Sequence, residues 1–190
     1  MEVLHKNITQ DGDTFWVIVV CMQKGIDLKQ EDFVEYIIRK IKPEETGVLD
    51  TFLYEAIFIP EGVEAPPREI INLPELRVYV DGFGSRTGDI AFVAEANGIV
   101  VGAVWVRIMD DYGHLDDETP SFAISLLKEY RNYGIGTELM KAMLNELRDC
   151  GYKQSSLAVQ KQNYAVKMYK KVGFQIIDEN EEEYIMVCKL

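Results

Sequence analysis

The sequence predicts a mixed α/β domain in which helices cover both faces of a largely antiparallel central sheet. Asn97-Gly98 separates two apolar, strand-like runs, and this dipeptide is typical of a tight hairpin turn. The second half of the chain alternates strand-like with helix-like segments, a pattern that brings parallel pairing into the sheet. The run from Ile99 to Ile108 is nearly continuously apolar, as expected for a strand that is covered on both sides.

Local sequence signals predict each strand, helix and loop of the domain. Runs rich in Val, Ile and aromatic residues predict strands at 14–22, 33–41, 90–96, 99–109, 121–127, 155–160, 174–177 and 184–189. Proline or acidic starts, glycine stops and apolar residues at helical spacing predict helices at 43–56, 74–80, 135–150 and 163–172. Three prolines and a glycine make 60–67 a loop.

The domain organisation follows from this order. We predict residues 1–31 as an N-terminal extension that carries one strand, and residues 32–190 as the domain itself. The strand of the extension could add to the sheet, cover it, or pair between the subunits of a homodimer. The sequence leaves these three options open.

Composition excludes several classes of function. A formal net charge of −12 argues against nucleic acid, whose phosphates need a basic surface, and is compatible with cationic amines. The longest apolar run, Phe15 to Met22, is too short to span a bilayer, so we expect no membrane segment. The N-terminus lacks the pattern of a signal peptide, and we expect a cytoplasmic protein.

Cysteine and histidine usage argues against a metal. Cys21, Cys150 and Cys188 are an odd number, lie far apart and show no ligand spacing. Only His5 and His114 add to them, so we predict no metal site.

The clearest chemical signal is the turn from Arg131 to Thr137, between a buried strand and a long amphipathic helix. The first amides of a helix have no partner within the helix and lie at the positive end of its dipole, so they bind phosphate. Gly134 and Gly136 would let the backbone approach an anion closely, and Arg131 adds charge. The alternative is a glycine turn that only starts a helix.

Two sequence blocks resemble one known family. Arg131-x-x-Gly134-x-Gly136 is similar to the Arg/Gln-x-x-Gly-x-Gly/Ala motif of the GNAT superfamily of N-acetyltransferases. Downstream, Asn163 to Phe174 resembles the second block of that family, Asn-x-Ala followed by Tyr-x-x-x-Gly-Phe. The blocks occur in the order and at the separation typical of the family, and the resemblance covers about residues 33–190.

The resemblance implies a GNAT-type fold with a V-shaped splay between two parallel strands, and a site for acetyl-CoA as co-substrate. In that family the pantetheine arm lies in the splay, bonded to backbone that corresponds here to Leu126 and Leu127. Asn163 would lie beside it, and Tyr169 would protonate the departing thiolate. The residues that would hold the diphosphate are Arg131, Asn132, Tyr133, Gly134, Ile135, Gly136 and Thr137.

The role of Tyr169 is chemically sensible, because a phenol of pKa ~10 can donate a proton to a thiolate whose conjugate acid has a pKa of ~8.5. The alternative is a core anchor, since Tyr169 lies on a helical stripe with Ala165, Met168 and Val172.

A base must also deprotonate the acceptor ammonium. Some relatives place a glutamate on the strand before the turn, but residues 121–127 contain no acid. Glu55 is the base that we select as a tentative assignment. Other candidates for the base are Asp81, Asp110, Asp111, Asp116 and Asp117. Tyr54 and Trp105 could line the acceptor pocket. His114 lies in a polar loop and is predicted to be an exposed histidine rather than a base.

The sequence thus predicts an acetyl-CoA-dependent N-acetyltransferase that acts on an unidentified amine, of a small molecule or a protein, by direct transfer without a cysteine nucleophile. One alternative is a non-catalytic, acyl-CoA-binding sensor or docking module of the same fold. A third reading is an unrelated nucleotide-binding protein.

Overall fold

The computed structural model describes residues 2–10, 13–21 and 33–190, with side chains from residue 34 onward. Its strands are β1 (Glu2–Gln10), β2 (Asp13–Cys21), β3 (Phe33–Lys40), β4 (Ile90–Ala96), β5 (Ile99–Arg107), β6 (Ser121–Leu126), β7 (Gln154–Gln160), β8 (Gln175–Glu179) and β9 (Glu183–Lys189). They form one sheet in the order β1-β2-β3-β4-β5-β6-β7-β9-β8. Every neighbouring pair is antiparallel except β6 and β7, so the sheet is mixed as predicted.

Four α-helices lie in the described part of the chain: α1 (Leu49–Ala56), α2 (Pro74–Arg77), α3 (Ile135–Asp149) and α4 (Val166–Lys171). The helix predicted from residue 43 begins as a 3-10 turn, Pro43–Val48, and becomes α-helical only after Gly47, a residue with poor helix propensity. None of the helices in the described ranges combines the length and the apolar character that crossing a bilayer requires.

Helices cover both faces of the sheet, as the sequence predicts. On one face α3 buries Leu139, Met143 and Leu147 against the strands. On the other face α1 buries Leu49 and Phe52 in a separate cluster. The sheet therefore lies between two apolar layers, which explains why β5 is apolar along nearly its whole length.

The sequence-predicted hairpin is present between β4 and β5. Asn97 and Gly98 both adopt positive φ, 52° and 75°, as a tight turn of the primed type requires. Strand β5 ends at Arg107, two residues before the predicted end.

The N-terminal extension carries two strands, whereas the sequence analysis predicts one. Strand β1 was missed because polar residues interrupt its apolar pattern, although Asp11-Gly12 is a dipeptide typical of hairpin turns. Strand β2 pairs with β3 in antiparallel register, from Trp16 opposite Ile38 to Cys21 opposite Phe33. Of the three options, the extension therefore adds to the sheet.

Strands β6 and β7 diverge soon after they meet. Their register contains a single pair, Ser121 opposite Ser156, next to which the Ser156 amide donates to the Pro120 carbonyl at 3.1 Å. Strand β6 nevertheless continues to Leu126, so a gap opens between the two strands. This is the predicted V-shaped splay, and its vertex lies at the Ser121–Ser156 pair.

Candidate active site

The gap between β6 and β7 exposes backbone groups of β6. The Leu127 amide donates to the Val101 carbonyl of β5 at 3.0 Å. Hydrogen-bonded and non-bonded pairs alternate along an antiparallel ladder, so Leu126 and Ile124, opposite Gly102 and Val104, direct their amides away from β5 and into the gap. The amide of Leu127, which the sequence analysis assigned to the cofactor, is therefore already engaged. Ile124 was not predicted.

The gap leads to the turn before α3. Asn132 and Gly134 both have positive φ, 69° and 83°, and Gly134 is the N-cap residue. Within the described chain, none of the amides from 132 to 136 donates to a backbone carbonyl. The turn thus presents consecutive free N–H groups at the positive end of a 15-residue helix, which is an arrangement that favours an anion.

The two glycines of this turn have different tasks. Gly134 needs its positive φ, and a Cβ placed on it would meet no atom within 4 Å. Gly136 is buried, and a Cβ there would lie 3.2 Å from both Leu126 Cδ1 and Met168 Sδ. Close packing of α3 against β6 and α4 therefore requires Gly136, whereas backbone conformation requires Gly134.

Arg131 links the turn to α1. Its guanidinium donates to the Leu126 carbonyl at 3.0 Å and to the Glu55 carboxylate at 2.8 Å. Both side chains are largely buried. Glu55, which we selected as a tentative base, is thus the ion-pair partner of Arg131.

A cleft of about 1040 Å³ joins the gap to the turn. Among the residues that the sequence analysis assigned to the site, those that line the cleft are Glu55, Leu126, Arg131, Asn132, Gly134, Thr137, Asn163 and Tyr169. Those that do not line it are Leu127, Tyr133, Ile135 and Gly136, of which Ile135 and Gly136 are buried.

Tyr169 lies at the wall of this cleft and is only 8% exposed. Its ring packs against Phe174, with the centroids 6.1 Å apart. Burial, with a smaller contribution from Tyr164, raises the pKa of the phenol well above its usual range. Tyr169 is therefore a core anchor that also contributes to the wall of the cleft.

Asn163 lies at the start of the segment that leads into α4. Its Oδ1 accepts a hydrogen bond from the Ala165 amide at 2.9 Å, which fixes the turn before the helix. This contact uses only the amide oxygen, so the side-chain NH₂ keeps its capacity to donate, and Asn163 lines the cleft.

Sequence reasoning missed one whole wall of the cleft, which residues 56–61 form after α1. It also missed Lys128 and Lys167, two cations that line the cleft and suit a polyanionic ligand. Of the two aromatic residues considered for a pocket, Tyr54 lines the cleft, with its hydroxyl donating to the Pro66 carbonyl at 2.6 Å. Trp105 does not, because it is fully buried in the core between β5 and α1.

Most of the remaining candidate acids lie at the surface. Asp81 pairs with Arg77, and Asp110, Asp116 and Asp117 are exposed. His114 is partly buried, with its Nδ1 2.9 Å from the Met109 carbonyl. Asp111 differs from all of these because two hydroxyl groups contact its partly buried carboxylate. No group of three potential metal ligands forms among the described residues.

Comparison with known proteins agrees with this geometry. The profile of the Acetyltransferase (GNAT) family matches residues 54–174, which include the cleft, the turn and Tyr169. The chain belongs to the GNAT acetyltransferase family.

Relatives in this family are about one-third identical to the chain over the segment that aligns. It is 35% identical to the probable N-acetyltransferase san of Drosophila melanogaster, over 57% of the chain and 58% of the fly protein. It is 30% identical to an N-alpha-acetyltransferase of Sulfurisphaera tokodaii, over 52% of the chain and 68% of that protein. The match thus spans little more than half of the fly relative.

Solved structures show the same fold. The PaiA N-acetyltransferase of Thermoplasma acidophilum, crystallised with coenzyme A, superposes with a TM-score of 0.61 at 21% identity, over 82% of the chain and 99% of that protein. A GNAT-family acetyltransferase of Streptococcus pneumoniae gives a TM-score of 0.60 at 22% identity, over 82% of the chain and all of that protein. The chain has the GNAT fold.

Proposed function

We propose that the protein is an acetyl-CoA-dependent N-acetyltransferase that transfers the acetyl group directly to an amine. The observation that carries this proposal is the continuity of three features in one cleft: free amides at the turn, free amides along the gap, and a buried phenol beside them. Family membership and a relative fold solved with coenzyme A support it.

The diphosphate of the co-substrate would bind at the turn before α3 through the free amides of Asn132 and Gly134, which line the cleft. Lys128 and Lys167 would add positive charge at the rim. Ile124 and Leu126 would bond the pantetheine arm and polarise the thioester carbonyl through their backbone amides. These amides are fixed in the sheet, so they need no reorganisation when charge develops on the carbonyl oxygen.

Tyr169 would supply the proton that the leaving thiolate needs. Burial raises the pKa of its phenol, so Tyr169 keeps its proton across the neutral range. It would give this proton to the thiolate as the C–S bond breaks. Asn163 would hold the co-substrate in place through its side-chain NH₂.

The acceptor is an amine, and peptide α-amines are the first to test, since three of the relatives carry the name N-alpha-acetyltransferase. The test follows free thiol as the protein is mixed with acetyl-CoA and a panel of peptide and small-molecule amines. Thiol release above background supports transfer. Tight coenzyme A binding without any release across the panel would instead support the non-catalytic module.

A charge placed at the turn tests the binding site itself. Thr137 lies in the first turn of α3 and lines the cleft. A glutamate there suits the helix dipole, so Thr137→Glu should fold, yet it would repel a diphosphate. Thr137→Gln has the same size without the charge. We expect coenzyme A to bind at least about tenfold more weakly to the Glu variant than to the Gln variant, and equal affinities would refute the placement.

A further inference from the structure

A second polar cluster lies at the vertex of the splay, outside the cleft. Asp111, in the loop after β5, accepts hydrogen bonds from the Ser121 hydroxyl through Oδ1 and from the Tyr79 hydroxyl through Oδ2, each at 2.7 Å. The Ser121 and Ser156 hydroxyls are 3.4 Å apart. The cluster thus sits at the one register pair that joins β6 to β7.

This cluster faces the side of the sheet opposite α3. Ala123 and Leu127 pack in the α1 cluster, and the Ser125 hydroxyl donates to the Phe52 carbonyl of α1. Side chains alternate along a strand, so Ser121 points to the same face. The diphosphate turn opens α3, so the cluster and the helix that would hold the co-substrate lie on opposite faces of the sheet.

The loop that carries Asp111 is held tightly against β7. A Cβ added to Gly113 would lie 3.0 Å from both the Ala158 nitrogen and the Leu157 carbonyl carbon, so only glycine allows this approach. The contact fixes Asp111 over the vertex. Tyr79 lies in the segment after α2. The Arg107 guanidinium fixes this segment by donating a hydrogen bond to the carbonyl of the preceding residue, Val78, at 2.9 Å.

Asp111 makes no ion pair with a cation among the described side chains, although its carboxylate is partly buried. Burial raises the pKa of the Asp111 carboxyl, and the hydrogen bonds from Ser121 and Tyr79 offset this only in part. A buried acid that lacks a cation costs stability, and such groups concentrate at functional sites. Strand β6 itself carries no acid, so Asp111 is the carboxylate that the loop brings to it.

We propose that Asp111, acting through the Ser121 hydroxyl, takes the proton from the acceptor ammonium. The inference rests on the proposed acetyl transfer. The ammonium proton passes through one water to Ser121 Oγ, whose side chain is buried in the free protein, while the Ser121 hydroxyl gives its own proton to Asp111 Oδ1. The freed amine forms the N–C bond as the C–S bond breaks, and Tyr169 gives its proton to the departing thiolate. The nitrogen then loses its second proton to solvent, and solvent returns a proton to the Tyr169 phenolate. Asp111 then returns its proton to solvent, and Tyr79 holds the carboxylate in place.

The test compares Asp111→Asn with the wild type on the acceptor that the wild type acetylates best. Asparagine keeps the shape, since its oxygen still accepts from Ser121 and its NH₂ donates to the Tyr79 oxygen. We expect kcat/KM at neutral pH to fall by about 100-fold or more, with coenzyme A affinity unchanged. Asp110→Asn, at the exposed neighbouring position, is the matched control and should keep wild-type activity.

The pH profile distinguishes proton transfer from a structural role. An amine loses its proton unaided as pH approaches its own pKa, near 10.4 for an alkylamine and near 8 for a peptide α-amine. The ratio of variant to wild-type kcat/KM should therefore rise toward one as the pH increases. This recovery should occur at a lower pH with an α-amine acceptor than with an alkylamine acceptor. The titratable groups facing the cluster are the Tyr79 phenol, with Tyr112 and Glu183 near it.

Ser121→Ala is the second variant, because it removes the relay hydroxyl and leaves Asp111 bonded to Tyr79. It should show the same pH-dependent loss, and it decides the matter if Asp111→Asn does not fold. A loss independent of pH, or folded variants with wild-type kcat/KM, would overturn the inference. Wild-type protein without thiol release on any amine would instead refute the proposed function.

Discussion

Tyr169→Phe separates the two roles of this side chain most sharply. Phenylalanine keeps the ring and its packing on Phe174 and removes only the hydroxyl. No side chain or carbonyl of the described chain is hydrogen-bonded to that hydroxyl, so the substitution breaks no such contact. We expect the free energy of unfolding, measured in urea, to change by no more than about 1 kcal/mol.

The effect on turnover should be much larger. Loss of a positioned proton donor costs about 10²- to 10⁴-fold in rate, equivalent to about 3–5 kcal/mol in the barrier. The assay follows coenzyme A thiol at saturating acetyl-CoA, with Tyr152→Phe, a tyrosine outside the cleft, as the control. Since the donor acts only as the C–S bond breaks, kcat should fall while coenzyme A affinity stays unchanged.

A wild-type kcat in Tyr169→Phe would exclude the phenol as the proton donor. A loss of several kcal/mol in the free energy of unfolding would show that the hydroxyl has a structural partner. A loss of coenzyme A affinity equal to the loss of kcat/KM would assign Tyr169 to binding rather than to proton donation.

Three further variants test contacts around the site. Arg107→Met leaves the buried Asp89 carboxylate without its ion-pair partner at 2.7 Å and should lower the free energy of unfolding by about 3–5 kcal/mol at neutral pH. The Arg107 guanidinium holds the Asp89 pKa below its usual range. In urea unfolding, the loss of stability should therefore shrink as the pH falls and Asp89 takes up a proton. Glu55→Gln should weaken coenzyme A binding in calorimetry by about two- to fivefold, by loosening Arg131, and leave the pH profile of kcat unchanged; a shifted profile would restore Glu55 as the base. Gly136→Val should cost about 1–3 kcal/mol in thermal unfolding through overpacking, and unaltered stability would contradict the tight contact.

Local signals were enough to predict the tight turns and the amphipathic helix α3. The Asn97-Gly98 hairpin and the turn from Arg131 to Thr137 depend on the backbone conformations of a few adjacent residues, and glycine and asparagine mark those conformations in the sequence. The stripe of α3 likewise repeats at the helical period. Such features need no knowledge of what packs elsewhere.

Long-range contacts account for what was missed or left open. Glu55 and Arg131 are 76 residues apart, and nothing in either local pattern indicates that they meet. The sequence around Trp105 is apolar and does not distinguish a pocket wall from a core residue. Packing against α1 places Trp105 in the core. Strand β1 lacks a periodic apolar face, so its pairing with β2 was not evident from its own residues.

The two halves of the site differ in the kind of group that builds them. Backbone amides would hold the acetyl-CoA, and any sequence supplies these amides once glycines shape the turn. The site for acetyl-CoA can therefore be recognised from one contiguous sequence motif. Side chains from three separated segments, Tyr79, Asp111 and Ser121, build the vertex. Of these only Ser121 lies on a sheet strand, so substitutions at the other two leave the ladder of the sheet intact. Acceptor chemistry can therefore vary in this fold without disturbing the donor site, and for this reason the acceptor has to be sought at the vertex.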